Sequence, residues 1–240
     1  MIAIPSWLEP FSGEFQEAIL PVLEKPGRRV ACFDADGTLW SEDLGEAFLR
    51  WLVAGALLPT IDCSKDVYAE YEARVDRDQC AGYSWAVECM SGIPEEKVNG
   101  WSRQLAAAWP NYRPSMFRMM RGLSEAGVEV WWVSATNQWS VRAAAGHKGF
   151  NPERVLGIRG PVSGGVLTGQ VERPVTCRGG KVDAIREIIG KMPDLACGDS
   201  RGDLEMMEVS DQPLVVARRD KGENEFLRGA AENGWPVHWF

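Results

Sequence analysis

Residues 29–39 read Arg-Val-Ala-Cys-Phe-Asp-Ala-Asp-Gly-Thr-Leu, an apolar run that delivers two aspartates into a glycine turn. A strand of Val30, Ala31, Cys32 and Phe33 has no polar face. It therefore demands burial on both sides, as at the centre of a parallel sheet. Three more apolar runs follow, at residues 128–133, 195–197 and 214–217. The first three of the four stop abruptly, at Asp34, at Ser134 and at Gly198-Asp199. Strands alternating with helical stretches predict a doubly wound parallel sheet, which places its ligands at the carboxyl ends of its strands.

About ninety residues separate the first two runs, too many for an ordinary crossover. From Glu42 to Trp109 apolar residues recur at helical spacing, as in Phe48, Trp51 and Leu52. Helix breaks are expected at Pro59, Gly82, residues 92–94 and Pro110. Residues 41–110 read as a helical lid inserted into a core made of residues 1–40 and 111–240; extra helices packed on the sheet are the alternative. Residues 164–171 alternate beside glycines and suggest a small β-ribbon.

A net charge of −8 argues against nucleic acid or an anionic membrane surface as the main partner, but leaves a small anionic substrate open. No stretch approaches the ~20 apolar residues of a membrane span. The opening residues lack the basic start and long apolar core of a secretory signal. The six cysteines include no CxxC pair, so no disulfide framework is expected and a reducing cytoplasm is the default.

Asp34 and Asp36 lie close enough to repel unless a cation sits between them or one is protonated; a divalent metal resolves the conflict, and oxygen-only ligands suit magnesium. Gly37 allows a sharp turn whose N–H groups can cradle an anion. An acidic turn closing a strand would look the same. Ser134, with the adjacent N–H groups of Ala135 and its neighbours, can bind a phosphate oxygen; the alternative is that the stretch Ser134-Ala135-Thr136-Asn137 simply caps a helix, for which Ser, Thr and Asn are all common. Lys181 opens a helix over residues 181–189, where it is either a phosphate ligand or a solvated lysine. Asp199 ends the third apolar run, and Asp203 follows at the start of the next helix.

Taken in chain order, these pieces resemble the haloacid dehalogenase superfamily, which consists largely of magnesium-dependent phosphatases. Asp34-Ala35-Asp36-Gly37-Thr38 matches its first motif and Ser134 the second. Lys181 fits the third, and Gly198-Asp199 with Asp203 the fourth. The resemblance implies a three-layer Rossmann-like core with a helical C1 cap after the first strand, in the phosphoserine and phosphorylcholine phosphatase branch. It implies that Asp34 is the nucleophile and Asp36 the general acid–base. Magnesium would be held by Asp34, the backbone carbonyl of Asp36, and Asp199. Gly37, Thr38, Ser134, Ala135 and Lys181 would take the phosphoryl group, and Asp203 would orient Lys181 or a metal-bound water. Gly202 departs from the asparagine that many relatives place there.

Within that superfamily, an acid at the position of Asp36 implies hydrolysis of a phosphate ester with an alcohol leaving group. A phosphotransferase or mutase using the same aspartyl-phosphate is the alternative, and a silent binding protein a third possibility that the intact acids argue against. The expected partner is a small phosphorylated metabolite; oligomeric state is open. In such relatives an acid near Glu42 or Asp43 binds a substrate amine, although both also suit the first turn of a helix capped by Ser41. Trp40, Trp51, Trp85, Trp101 and Trp109 could build a cage for a quaternary ammonium or simply fill the core.

Overall fold

The computed structural model describes residues 4–240. In chain order the elements are α1 (Gly13–Glu24), β1 (Arg29–Phe33), α2 (Leu44–Ala54), α3 (Val67–Arg77), α4 (Gln79–Glu88) and α5 (Glu95–Ala108). Then come α6 (Pro114–Glu125), β2 (Val128–Asn137), α7 (Gln138–His147), β3 (Val155–Ile158), β4 (Val162–Ser163) and β5 (Val166–Leu167). The chain ends with α8 (Gly179–Ala184), β6 (Leu195–Gly198), α9 (Leu204–Glu208), β7 (Gln212–Ala217), α10 (Glu225–Glu232) and β8 (Val237–Trp239). Six strands form a parallel sheet of order β3-β2-β1-β6-β7-β8 with flanking helices, a Rossmann-like α/β fold. The first apolar run is central, as its lack of a polar face requires: β1 pairs with β2 on one side and β6 on the other.

Two compact units divide the chain. The first comprises the chain through Glu42, Asn111–Val133 and Ile185–Phe240. Here Phe15, Ile19 and Val22 of α1, spaced for one helical face, are buried, as are Met116, Phe117, Met120 and Leu123 of α6. Pro114 starts α6 at a position whose N–H has no helical partner anyway.

The second unit comprises Asp43–Pro110 and Ser134–Ala184. It has its own apolar core, in which Phe48, Leu49 and Leu52 of α2 join Tyr71, Val87, Val98, Trp139, Ile158 and Leu167. Residues 134–184 are tied to the helices through backbone bonds: Glu95 N donates to Gly165 O at 2.9 Å, and Leu167 N to Ile93 O at 3.0 Å. The expected ribbon is present as β4 and β5, antiparallel around Gly164-Gly165, which both have positive φ. The break expected at Gly82 falls instead at Asp78. Asp78 ends α3 and caps α4, accepting from Ala81 N at 3.1 Å.

In the first unit, Asp194 fastens the start of β6 to β1. Its buried carboxylate accepts from Val30 N at 2.7 Å and from the ammonium groups of Lys25 and Lys191. Burial alone would push this carboxyl up, but the hydrogen bonds from Lys191, Lys25 and Val30 outweigh it and hold it below the ordinary value. A depressed folded value gives stability that is present above the ordinary carboxylate value and lost as pH falls from there through the lower folded value. Asp194→Asn should therefore cost about 1–2 kcal/mol at neutral pH, after discounting for the solvent at the lysines. Urea unfolding at a series of pH values should show the two proteins converging on acidification; a gap independent of pH would contradict this role.

Candidate functional site

In the first unit, β1 and β6 deliver their carboxyl ends side by side. Phe33 is in register with Cys197, and Asp34 N donates to Cys197 O at 2.9 Å. Asp34 is buried, Asp199 follows the end of β6, and Asp203 is buried just before α9. One carboxylate oxygen from each of the three lies within 4.8 Å of the others. Like charges this close disfavour one another, and an all-oxygen donor set is what a hard divalent cation takes. Asp203 also holds the turn before it: its Oδ2 accepts from Asp199 N and Ser200 N, both at 3.2 Å, and from Ser200 Oγ at 3.3 Å.

The turn after β1 is shaped around Asp199. Gly37 has φ +77°, and a Cβ there would lie 2.0 Å from Asp199 Oδ2. Only glycine leaves room for that carboxylate. Thr38 Oγ1 donates to Asp199 Oδ1 at 3.5 Å. Asp36 Oδ1 accepts from the indole N–H of Trp40 at 2.7 Å. Trp40 is fully buried, edge-on to Tyr112, so it fills the core of this unit and fixes the Asp36 carboxylate.

Sequence reasoning missed Arg113. Its buried guanidinium donates to Gly37 O and, at 3.1 Å, to Thr38 O, and it lies 4.2 Å from the centre of the Phe240 ring. Burial lowers its pKa from the ordinary arginine value, while Asp199 acts in the opposite direction. Nothing local marks this residue, because it stands before α6 and far from the first motif in sequence. Cys197 is buried in the core, and burial pushes its thiol well above its ordinary value.

The two acids offered to a substrate amine have structural partners. Glu42 pairs with Arg218 at 3.0 Å. In the second unit, Asp43 rather than Ser41 caps α2, accepting from Glu46 N at 2.8 Å. Of the lid tryptophans, Trp51 meets Trp101 edge-on, with ring centres 5.6 Å apart, and Arg74 covers Trp85 at 4.7 Å. Trp85 and Trp101 pack around the core of that unit, whereas Trp51 is exposed.

Also in the second unit, β2 continues past Ser134 and Ala135 to Asn137, which caps α7 by accepting from Ser140 N at 2.9 Å. The helix cap weighed for the stretch of residues 134–137 thus falls on its asparagine. Ser134 is buried; its Oγ accepts from Thr136 N at 3.1 Å, and its carbonyl from Thr176 Oγ1 at 2.6 Å. Lys181 is only 2% exposed, which removes the reading of a solvated lysine. Its helix begins at Gly179, and the stretch Ile185–Ile189 is wound as a π-helix.

A family model described as haloacid dehalogenase-like hydrolase matches residues 31–208. No curated protein matches the sequence. Among solved structures, a protein of unknown function from Bordetella pertussis Tohama I is 20% identical, with a TM-score of 0.75, covering 88% of this chain and 98% of its own. A phosphoserine phosphohydrolase-like protein from Francisella tularensis is 14% identical, with a TM-score of 0.58 and coverages of 87% and 94%. A phosphoserine phosphatase solved as a phospho-aspartyl intermediate analogue is 20% identical, with a TM-score of 0.53 and coverages of 87% and 99%. At these identities the likeness is one of fold.

Gly37→Ala should destabilise the protein by about 1–2 kcal/mol from the positive φ alone. Contact with Asp199 adds to this. Asp199→Ala in the same chain should recover the contact part and leave the φ part, giving a non-zero coupling in a double-mutant cycle of unfolding free energies. Strict additivity would show that the close approach has no energetic weight.

Proposed function

Because the chain belongs to the haloacid dehalogenase-like hydrolase family, we propose that it is a magnesium-dependent phosphatase of a small phosphomonoester, acting through an aspartyl-phosphate on Asp34. The observation that carries this reading is the convergence of Asp34, Asp199 and Asp203 within 4.8 Å. The fold shared with a phosphoserine phosphatase described as a phospho-aspartyl intermediate analogue supports it.

In this reading a carboxylate oxygen of Asp34 attacks phosphorus while the bond to the ester oxygen breaks, and Asp36 supplies that oxygen with a proton. Asp36 then takes a proton from water, which attacks the same phosphorus and releases inorganic phosphate, restoring Asp34. The hydrogen bond from Trp40 keeps the Asp36 carboxylate aimed through both halves. The carboxylates of Asp34 and Asp199 and the carbonyl of Asp36 would hold magnesium, with Asp203 fixing the Asp199 turn. When bound, the cation offsets the charge of phosphate and nucleophile together. To Gly37, Thr38, Ser134, Ala135 and Lys181 we assign the binding of the phosphoryl oxygens, and to residues 41–110 the role of a cap that sets specificity.

For substrates we propose amine-bearing phosphoesters such as phosphoserine or phosphorylcholine, with Asp43 or Glu42 as the acid that meets the amine. The proposed location is the cytoplasm; among the described residues no helix is long and apolar enough to cross a membrane. Hydrolysis of p-nitrophenyl phosphate tests the chemistry. It should require magnesium, stop with EDTA, and fall by about a thousandfold or more in Asp34→Asn. Turnover insensitive to all three changes would contradict the mechanism.

A further inference from the structure

The segment leading to Lys181 is fastened at several points within the second unit, and one of them is covalent. Against the expectation from cysteine usage, Cys177 forms a disulfide with Cys80 in the first turn of α4, with Cα atoms 5.6 Å apart and a sequence separation of 97. The neighbouring residues pair as well: Arg178 Nε donates to Gln79 Oε1 at 3.3 Å. On the other side, Thr176 Oγ1 donates to Ser134 O at 2.6 Å. Gly180 N donates to Cys177 O at 3.0 Å and Lys181 N to Arg178 O at 2.8 Å, so the first turn of α8 grows directly out of the cystine.

This segment has little freedom to adjust. Arg178 adopts φ 50°, a region few side chains tolerate. A Cβ on Gly180 would lie 1.8 Å from Val175 O. Such a conformation persists only where its surroundings over-determine it. Of the four free cysteines, Cys32, Cys89 and Cys197 are buried and Cys63 is half-buried; burial pushes the Cys89 thiol up to about 12.

We propose that the Cys80–Cys177 disulfide is a redox-responsive positioning element that holds residues 175–181, and hence Lys181, in the working arrangement. It rests on the phosphatase reading for its effect on activity, though not for its effect on the segment. Reduction by a dithiol breaks the one S–S bond and leaves both cysteines as thiols, while the dithiol gives up two electrons and two protons and becomes a disulfide. In a reducing compartment such a bond forms under oxidising conditions and reports on them. Once it is open, hydrogen bonds and the packing of Val175 against the core hold the segment without a covalent tie, and the geometry at Lys181 loosens.

The test uses the full chain with magnesium, oxidised, reduced with dithiothreitol, and re-oxidised. Reduction should lower kcat/KM for p-nitrophenyl phosphate by about tenfold, and re-oxidation should restore it. Cys80→Ser/Cys177→Ser should show the reduced value in all three conditions. Hydrogen exchange should quicken at residues 175–181 on reduction and stay constant at residues 199–203. If the oxidised protein contains no bond between these cysteines by peptide mass, or if exchange at 175–181 is the same in both forms, the proposal is overturned. A chain that hydrolyses nothing in either form, yet shows the exchange difference, would sink the phosphatase reading while keeping the positioning role.

Discussion

Three carboxylates held within 4.8 Å of one another set the terms for the first unit. Their mutual repulsion must be met by the surrounding chain, because it works against the folded state wherever no cation intervenes. Backbone geometry does most of this. The bond from Asp34 N to Cys197 O locks the two strand ends together, and Asp203 is held by the N–H groups of Asp199 and Ser200. Arg113 adds a positive charge while tying down the carbonyls of Gly37 and Thr38. At the opposite end of the same strand pair, Asp194 binds Val30 and two lysines, so β1 and β6 are clamped at both termini.

The second unit solves a different problem. Helices α2 to α5 share one apolar core with residues 134–184, which contribute Trp139, Ile158 and Leu167 to it. The β4–β5 ribbon bonds to the turn before α5, and the cystine joins α4 to the segment before α8. Ser134 and Lys181, separated widely in sequence, are linked here through Thr176 and the first turn of α8. A unit assembled from two stretches of chain gives both residues a common support.

The parts legible in the sequence were those that obey local rules. An apolar run without a polar face reads as a central strand, and β1, β2, β6 and β7 occupy that sheet. Asp34 and Asp199 were found because each stands at the end of such a run. What escaped was fixed by tertiary contact. β3 and β8 are only four and three residues long and carry little periodicity. Asp78 ends α3 because its side chain caps the next helix, a better reason than Gly82 offered. The burial of Lys181, the pairing of Cys80 with Cys177, and the reach of Arg113 to Gly37 each join residues far apart in sequence, which no local pattern records.

If the acidic cluster exists to hold a cation, affinity for that cation is its most direct measure. Calorimetric titration of the protein with magnesium should reveal one site per chain, and Asp199→Asn, which keeps the side-chain shape and removes the charge, should weaken it by at least about tenfold. Absence of magnesium binding by the natural chain, or equal affinity in the variant, would contradict the account.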